Sequence, residues 1–410
     1  MKIQYKYKNE LFDDIRDIVF NNKLEPDFDY ILEEFIPFQI FITGRTFFKG
    51  VKIVSDTKYS IEEQEKDLPG SLTDRLIDIF SEQSVEMGKV QVASLSGGID
   101  SSTVAAWFCP STVYTGYYKN GEGYDETIYA SAMADSIKAR HLKIQLFEKD
   151  FLSSMNEVMD IYCTPAGGFG SVMEYAALKK VVRKMDVKSV LFGHGGDEIF
   201  MAYFYNRFVM NFHFFSELSI AGMMNFEPSV SSGVRKIVDF MIISLINRAG
   251  KDVMYSKFVQ EKLEPFLFGI EDVRDKLLTI NINFTLPTLL HLNQQMCSGL
   301  GVKGYSPFTS GGLIKYAKAL NAYPADVLPK QKLRDLSFGV PKEIVERKDK
   351  KGFPVPIGLW KDVRKIIEEE YNKFRLESWI PFSLPEFNGV DRYSWGVAQA
   401  GMYLNRFFKK

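Results

Sequence analysis

Serine, glycine and aspartate residues cluster in the segment SGGIDSS, at positions 96–102, in an order that suits phosphate binding. Glycine lets the backbone approach an oxyanion closely, and the N-terminus of a following helix presents free N–H groups. Because an aspartate repels phosphate, Asp100 is predicted to hold a Mg²⁺ ion that bridges phosphates. The residues predicted to form this phosphate-binding loop are Ser96, Gly97, Gly98, Asp100, Ser101 and Ser102.

The alternative interpretation of this segment is an ordinary turn between a strand and a helix. The apolar segment KVQVASL at 89–95 precedes it and a helical pattern follows, which favours the phosphate loop. Five specified residues in this order are also expected by chance only on the order of once per thousand chains. The spacing differs from the Walker A loop, which ends in Gly-Lys followed by Ser or Thr.

A second glycine-rich segment, GHGGDE at 193–198, follows another apolar run. Asp197 is predicted to be a second oxygen ligand of the magnesium ion. The simpler interpretation is a turn whose aspartate caps the next helix. In a parallel sheet, both loops would lie at the carboxyl ends of strands, where such sheets bind ligands, and this favours a shared site.

The elements that must position these loops alternate between strand and helix patterns. We therefore predict an α/β fold with a parallel twisted sheet and flanking helices over about 85–210. The chain from about 211 to 410 is predicted to be mainly helical. The predicted strands of the sheet lie at 89–95, 112–118, 142–148 and 189–193.

The chain before about 66 has a different character, and we predict an N-terminal extension over 1–65 and one larger domain over 66–410. The extension contains two strand-like runs, FQIFIT at 38–43 and VKIVS at 51–55. The larger domain opens with a helix, because Ser71 followed by Asp74 resembles a capping box.

Composition narrows the class of protein. The 410 residues include 51 basic and 52 acidic side chains, and this balance argues against a general binder of nucleic acid or of membrane surfaces. Three cysteines fit a reducing compartment, and the longest apolar run, 237–246, is shorter than the ~20 residues of a spanning helix. We expect a soluble, cytoplasmic protein.

The loop SGGIDSS resembles the pyrophosphate loop of the ATP-pyrophosphatase (PP-loop) superfamily. Both loops, together with KKGFPVP at 350–356, resemble the synthetase domain of class B asparagine synthetases, over about residues 28–408. β-Lactam synthetases and lasso-peptide cyclases are related to that family. The resemblance implies a PP-loop fold, ATP and Mg²⁺ as cofactors, and adenylation of a carboxylate with release of pyrophosphate.

The resemblance also implies roles for individual residues. Asp100 and Asp197 match the magnesium ligands, and Lys350 matches the lysine that stabilises the charge formed during adenylation and amide formation. Lys351, the next residue, is an alternative candidate for this role. We expect the basic stretch at 342–351 to face a triphosphate. The simpler interpretation of this stretch is a solvated surface loop. The positions that match the adenine and ribose site are Ser94, Gly116 and Gly193.

His194 occupies the position where asparagine-forming members have a glutamate that deprotonates ammonia, and where a β-lactam synthetase has tyrosine. A histidine has an ordinary pKa near 6.5 and can accept a proton from an amine at neutral pH. We predict that His194 is this base; the alternative is that it only shapes the pocket. No His or Cys spacing indicates a zinc site.

Departures from the family pattern concern the substrate. Where the family has Asp-Arg, this chain has Asn293-Gln294. The segment KGYSPFTS at 303–310 lacks the acidic residue, the arginine and the final aspartate of the family's motif. Where the family has Gly-Gly, this chain has Met201-Ala202. These changes make asparagine doubtful as the product. Residue 2 is Lys where glutamine-dependent members have the nucleophilic Cys. We therefore expect no glutaminase domain, so that the nitrogen comes from free ammonia, a partner enzyme or a substrate amine.

The predicted function is that of an ATP-dependent, AMP-forming carbon–nitrogen ligase. It would join a small-molecule or peptide carboxylate to an amine or ammonia, in the tailoring of natural products, modified peptides or sugar acids. The alternatives are an ammonia-dependent asparagine synthetase, a non-catalytic synthetase-like scaffold and a pyrophosphatase that inserts sulfur or nitrogen into RNA. Retention of both aspartates disfavours the scaffold, and the absence of a basic face disfavours RNA. No nucleic acid or membrane partner is expected.

Overall fold

The chain forms a parallel β-sheet with flanking helices, and its second half is mainly helical. The computed structural model describes residues 1–64, 71–119, 125–165, 167–211, 213, 228–321, 330–336, 339–348, 353–380 and 383–409. The domain boundary that we predicted between 65 and 66 falls within residues 65–70, which lie outside the described part of the chain. The strands are β1 (Ile3–Tyr7), β2 (Glu10–Phe12), β3 (Lys52–Ser55), β4 (Val92–Ser94), β5 (Thr112–Tyr117), β6 (Arg140–Gln145), β7 (Ser189–Leu191) and β8 (Lys303–Tyr305).

The central sheet has the strand order β6-β5-β4-β7-β8, and each neighbouring pair is parallel. Val92 of β4 lies opposite Thr112 of β5 and Val190 of β7, and all three are buried. A parallel sheet is covered by helices on its faces, which explains why β4, β7 and most of β5 are buried. Each of the four strands that we predicted overlaps an observed one, and the predicted fold class is confirmed.

The fifth strand of the sheet, β8, was missed by sequence reasoning. It has only three residues, Lys303–Tyr305, and it is more than one hundred residues away from its partner β7 in the chain. Its sequence, KGY, has no apolar run and no alternation. Pairing with β7 supplies the backbone hydrogen bonds that define it as a strand, and only the tertiary structure provides that partner.

Helices cover both faces of the sheet and form most of the second half. Ser71 caps the first of them, because its hydroxyl accepts a hydrogen bond from the Asp74 N–H at 3.1 Å, as predicted. Among the described helices, none combines the length and apolar character that a membrane-spanning segment needs. The helices of eight or more residues are α1 (Leu72–Met87), α2 (Ile99–Phe108), α3 (Thr127–Ser136), α4 (Glu148–Tyr162), α5 (Gly170–Val182), α6 (Pro228–Ile246), α7 (Val273–Ile280), α8 (Leu286–Gly299), α9 (Lys361–Arg375) and α10 (Arg392–Phe407).

Shorter helical segments connect these elements. The α-helical turns are Arg16–Val19, Phe28–Tyr30, Ile36–Phe38, Gly196–Ile199, Lys251–Met254, Glu264–Phe268, Gly311–Ile314, Ala317–Leu320, Gln331–Leu336 and Lys342–Val345. The 3₁₀ turns are Pro307–Thr309 and Ile357–Leu359, and the π-helical turns are Ile31–Phe35, Val259–Leu263 and Asn281–Thr285.

Each of these π-helical turns is followed two residues later by a proline, namely Pro37, Pro265 and Pro287. Proline has no N–H and its ring clashes with the carbonyl four residues earlier in an α-helix. In each case that carbonyl belongs to the π-helical turn, where the wider backbone relieves the clash. The device lets α7 and α8 continue as one helical rod through Asn281–Thr285.

The N-terminal residues form a three-stranded antiparallel sheet with the order β2-β1-β3. The predicted strand-like run at 51–55 is β3, but the prediction for 38–43 was wrong. Gln39 adopts a left-handed conformation with φ of 56°, which ends a helical turn. The N–H groups of Ile42 and Thr43 then donate to the buried carboxylate of Glu34, at 2.6 and 3.0 Å, instead of to a neighbouring strand.

His291 joins this N-terminal sheet to helix α8. Its Nδ1 lies 2.8 Å from the Tyr5 hydroxyl and its Nε2 lies 3.4 Å from the Thr164 carbonyl oxygen, so the neutral imidazole accepts one hydrogen bond and donates another. Both Tyr5 and His291 are fully buried. Burial lowers the pKa of His291 to about 4, although the charge of nearby Asp14 opposes this shift.

This arrangement predicts a loss of stability in mild acid. The unfolded chain binds a proton at His291 below pH 6.5, whereas the folded protein does not until about pH 4. Stability therefore falls as the pH drops through this window, by about 1.4 kcal/mol per pH unit for a single group. In urea unfolding, the wild type should lose about 2 kcal/mol more than His291→Gln between pH 7 and pH 5. The same pH dependence in both proteins would contradict the assignment.

Candidate active site

The first glycine-rich loop joins β4 to α2 and is held by its own side chains. The Ser101 hydroxyl lies 3.0 Å from that of Ser96, accepts from the Ser96 N–H at 3.1 Å and donates to the Gly98 carbonyl at 3.2 Å. Gly97 has φ of 70°, a conformation that favours glycine. These bonds fix the loop before any ligand binds.

The second loop, after β7, touches the first at two glycines. A Cβ atom at Gly193 would lie 2.7 Å from the Ser101 nitrogen, and one at Gly196 would lie 2.5 Å from Cγ of Asp100. Real Cβ atoms do not approach so closely, so only glycine allows the two loops to meet. Because β4 and β7 are adjacent parallel strands, both loops emerge at the same edge of the sheet. The predicted juxtaposition of the loops is therefore observed.

Asp100 and Asp197 meet at the ammonium group of Lys330. The Nζ atom of Lys330 contacts the Asp100 carboxylate and lies 2.6 Å from Oδ1 of Asp197. Only 6% of Lys330 is exposed. Burial lowers the pKa of Lys330, but the two carboxylates outweigh burial and raise it above the ordinary value. Asp100 and Asp197, which were predicted to share one Mg²⁺ ion, thus both contact the Nζ atom of Lys330.

Lys330 is a site residue that sequence reasoning missed. It lies 230 residues from Asp100 in the chain, within a basic stretch that offered no reason to select one lysine. Its backbone has φ of 63°, a left-handed conformation that costs a non-glycine residue about 1–2 kcal/mol. Lys8 and Lys138 share this backbone conformation, so it is the contact with both Asp100 and Asp197 that sets Lys330 apart.

The donor set is compatible with a magnesium ion that is bound together with phosphates. Magnesium in nucleotide sites uses one or two carboxylates and completes its octahedron with water and substrate phosphates. Within the described ranges, no three His, Cys, Asp or Glu side chains form a cluster that could hold a metal ion by themselves. Asp100 and Asp197 would therefore supply the protein ligands, and the nucleotide would supply the others.

The two loops form one wall of a cavity of about 1000 Å³. At the carboxyl ends of the strands, the cavity wall includes the positions predicted to hold adenine and ribose, which are Ser94, Gly116 and Gly193. It also includes Ser96, Gly98, Asp100, Ser101, His194 and Asp197.

Two residues of the predicted phosphate loop lie behind the cavity wall. Ser102 is fully buried in α2, and its hydroxyl has no hydrogen-bond partner among the described residues. The backbone of Gly97 faces α3, because a Cβ atom there would lie 2.8 Å from Cβ of Tyr129. Neither residue lines the cavity, so a direct contact with phosphate is not supported for either.

Arg347 clamps the first loop from behind. Its guanidinium forms an ion pair with Glu126 at 2.7 Å, lies 3.9 Å from the centre of the Tyr129 ring, and donates to the Gly97 carbonyl at 3.3 Å. The predicted catalytic residue Lys350 and its rival Lys351 lie outside the described residues. Lys348 and Phe353, which flank them in the chain, both line the cavity.

His194 is paired with a glutamate that sequence reasoning also missed. Nε2 of His194 lies 3.1 Å from Oε1 of Glu174 on helix α5, and its ring stacks on Phe192 with 5.1 Å between ring centres. Burial lowers the pKa of His194, but the charge and hydrogen bond of Glu174 outweigh burial and raise it, with smaller contributions from Glu198 and Asp197.

The second ring nitrogen of His194 is enclosed. Nδ1 is buried and has no hydrogen-bond partner among the described residues, whereas Nε2 faces the Glu174 carboxylate and donates its proton to it. The Glu174 side chain also lines the cavity, and 27% of it is exposed. In this conformation, the carboxylate of Glu174 is the more accessible proton acceptor of the pair.

Replacing Lys330 by methionine should destabilise the protein when magnesium is absent. Asp100 and Asp197 would then lose the ammonium group that both contact, at a cost of about 2–3 kcal/mol, which is less than for a fully buried pair because Asp197 is half exposed. Millimolar Mg²⁺ should stabilise Lys330→Met more than it stabilises the wild type. Urea unfolding with and without Mg²⁺ measures both effects.

Lys342→Met serves as the control for this experiment, because the Lys342 side chain is 82% exposed and lies outside the cavity wall. Equal stability changes in the two variants, with no extra response of Lys330→Met to Mg²⁺, would contradict the role given to Lys330.

Several known proteins are similar to this chain in sequence or in part of the structure. Proteins named "Putative asparagine synthetase (glutamine-hydrolyzing)" from Mycobacterium bovis and Mycobacterium tuberculosis are 32% identical over 116 residues. That segment is 27% of this chain and 17% of each relative's length. An NMN synthetase structure from Francisella tularensis covers 55% of this chain and 91% of its own, at 12% identity and a TM-score of 0.24, which is too low to equate two folds. The sequence pattern of the Asparagine synthase family matches residues 73–382, and the chain belongs to this family.

Proposed function

We propose that the protein is an ATP-dependent ligase that adenylates a carboxylate and transfers the acyl group to an amine or ammonia. One observation carries this proposal. Two glycine-rich loops bring Asp100 and Asp197 to one cationic atom at the wall of a large cavity, which also contains the His194–Glu174 pair. Membership of the Asparagine synthase family supports the same reaction class.

The proposed first step is attack of a substrate carboxylate oxygen on the α-phosphorus of ATP. The bond from that phosphorus to the bridging oxygen breaks, and pyrophosphate leaves with the bond electrons. A magnesium ion held by Asp100 and Asp197 would neutralise charge on the phosphates. The free N–H groups at the start of α2 and the ammonium of Lys330 supply further positive charge where the pyrophosphate charge develops.

The proposed second step joins the acyl-adenylate to an amine. The amine nitrogen attacks the acyl carbon, AMP leaves, and one proton is lost from the nitrogen. We infer that the Glu174–His194 pair receives this proton, with Glu174 as the member that faces the cavity. His194 then positions the Glu174 carboxylate through the hydrogen bond from Nε2.

The size of the cavity supports a substrate that binds beside the nucleotide. At about 1000 Å³ it lies at the upper end of the ~300–1000 Å³ range of small-molecule sites. Met201 and Ala202 stand where the family has two glycines, and Ala202 lines the cavity, so its wall carries a methyl group that the family lacks. We propose a natural-product, modified-peptide or sugar-acid substrate instead of aspartate.

Pyrophosphate release from ATP should depend on an added carboxylic acid and on Asp100. A panel of acids, with and without amines, is assayed for pyrophosphate and AMP in the presence of Mg²⁺. Asp100→Asn should reduce release by at least about 100-fold, because the charge that attracts the metal is lost. Asp160→Asn is the matched control, since Asp160 pairs with Arg406 on the surface. Absence of pyrophosphate and AMP with every acid would refute the proposed function.

The Glu174–His194 pair should affect the second step and spare the first. Glu174→Gln should leave acid-dependent exchange of labelled pyrophosphate into ATP within a few-fold of wild type. It should slow amide formation by about 100-fold or more, the usual contribution of a general base. His194→Gln should slow amide formation by about 10-fold, as expected for a positioning residue. Equal losses in exchange and amide formation would reject proton transfer by this pair.

A further inference from the structure

A pair of arginines lies beside the cavity near Tyr203. Arg392 begins helix α10 and lines the cavity, and Arg248 is close enough for the two charges to affect each other. The rings of Tyr203 and Tyr205 stack with 5.5 Å between their centres and lie near both guanidinium groups. We call Arg248 and Arg392 the arginine pair.

The arginine pair has no carboxylate counter-ion in the described part of the chain. Nε of Arg392 donates to Oε1 of Gln39 at 3.3 Å, and Nη1 of Arg248 donates to the Leu245 carbonyl at 3.3 Å. The titratable groups that influence these two arginines are Arg248 itself, acting on Arg392, and the neighbouring tyrosines, which are neutral at neutral pH. Arg392 is exposed and lines the cavity, so its guanidinium is accessible to a ligand.

The electrostatics favour an anion at this position. The protein atoms packed around Arg392, together with the charge of Arg248, lower the pKa of Arg392 to about 10, and partial burial lowers the pKa of Arg248. Both guanidinium groups remain protonated at neutral pH. Two like charges in a partly enclosed site repel, and an anion between them would relieve that repulsion. A guanidinium fork matches the geometry of carboxylate and phosphate oxygens.

The arginine pair is connected to the reaction centre through one side chain. The Tyr203 hydroxyl donates to the carboxylate of Glu198, which follows Asp197 in the chain. The carboxylate to be activated must lie by the phosphate loops, so an anion at the arginine pair would be a different group of the same substrate. Arg207 also lines the cavity and, among the described residues, forms no ion pair, which adds positive charge to this wall.

We propose that the acid substrate carries a second anionic group, a carboxylate or a phosphate, and that Arg392 binds it with the support of Arg248. The proposal rests on the proposed ligase function and names the substrate class for the same cavity. It makes Arg392 a specificity-determining residue. The family has arginines at the position of Gln294 and within the segment 303–310, and this chain lacks both. Arg392 would bind the acid in their place.

The test compares acids that differ only in the distal group. Acid-dependent pyrophosphate release is measured with succinate, glutarate and adipate, with the monocarboxylates of equal length, and with 3-phosphonopropionate. The dianionic acids should show at least about 10-fold higher kcat/KM, the lower end of what a charge-assisted hydrogen bond contributes. The preference between succinate and 3-phosphonopropionate, which share a two-carbon spacer, identifies the second group as carboxylate or phosphate.

Variants of Arg392 separate binding from folding. Arg392→Gln should raise KM for the dianionic acids about 10- to 100-fold with little change in kcat, whereas Arg392→Lys should retain part of the preference. Monocarboxylates, which lack the second anionic group, should lose less kcat/KM than the dianionic acids in both variants. Arg406→Gln is the control on the same helix, because Arg406 pairs with Asp160 on the surface. Equal use of mono- and dianionic acids by the wild type would overturn the inference.

Failure of the arginine proposal can be distinguished from failure of the proposed ligase function. If no acid supports pyrophosphate release, calorimetric titration of the same acids into the full protein tests the arginine pair directly. Binding of dianionic acids that is stronger than binding of monocarboxylates, and that is lost in Arg392→Gln, supports the inference. Equal or absent binding of the two classes overturns it.

Discussion

The close contact between two glycine-rich loops is the constraint on which the site depends. Any side chain at Gly193 would overlap the backbone of Ser101, and any side chain at Gly196 would overlap the carboxylate of Asp100. Their glycines let Asp100 and Asp197 approach a single cation, even though the two aspartates are 97 residues apart. Two like charges so close together require a positive charge, and Lys330 provides it in the absence of a metal ion.

The cavity has charge of both signs in separate places. Carboxylates and Lys330 lie at the phosphate loops, and the arginine pair lies beside Tyr203. Tyr203 lies between these two groups of charges. Its hydroxyl contacts Glu198, beside the phosphate loops, and its ring stacks on Tyr205, beside the arginines. Such a division suits a reaction that handles a polyphosphate and an organic acid side by side. The π-helical turn before α8 lies in the same region, since Thr285 lines the cavity wall.

Local pattern was sufficient for much of the fold and for part of the site. The strands β4 to β7 and the Ser71 cap depend on apolar runs and on short-range hydrogen bonds, which can be read along the chain. The run at 38–43 was misjudged because a buried Glu34 carboxylate, eight residues away, captures its N–H groups. Strand β8 was missed because its three residues acquire strand geometry only from β7. Lys330 and Glu174 were missed because neither has a local partner.

The sequence by itself determined the two loops, their order after apolar strands, and the family to which they belong. These features depend on residue type within about ten positions: glycine where the backbone must turn, serine where a loop bonds to itself, aspartate where a cation is needed. Tertiary structure alone decided which residues complete the site. Lys330 reaches Asp100 across 230 residues and Glu174 reaches His194 from another helix, because electrostatic partners are selected by distance in space and not along the chain.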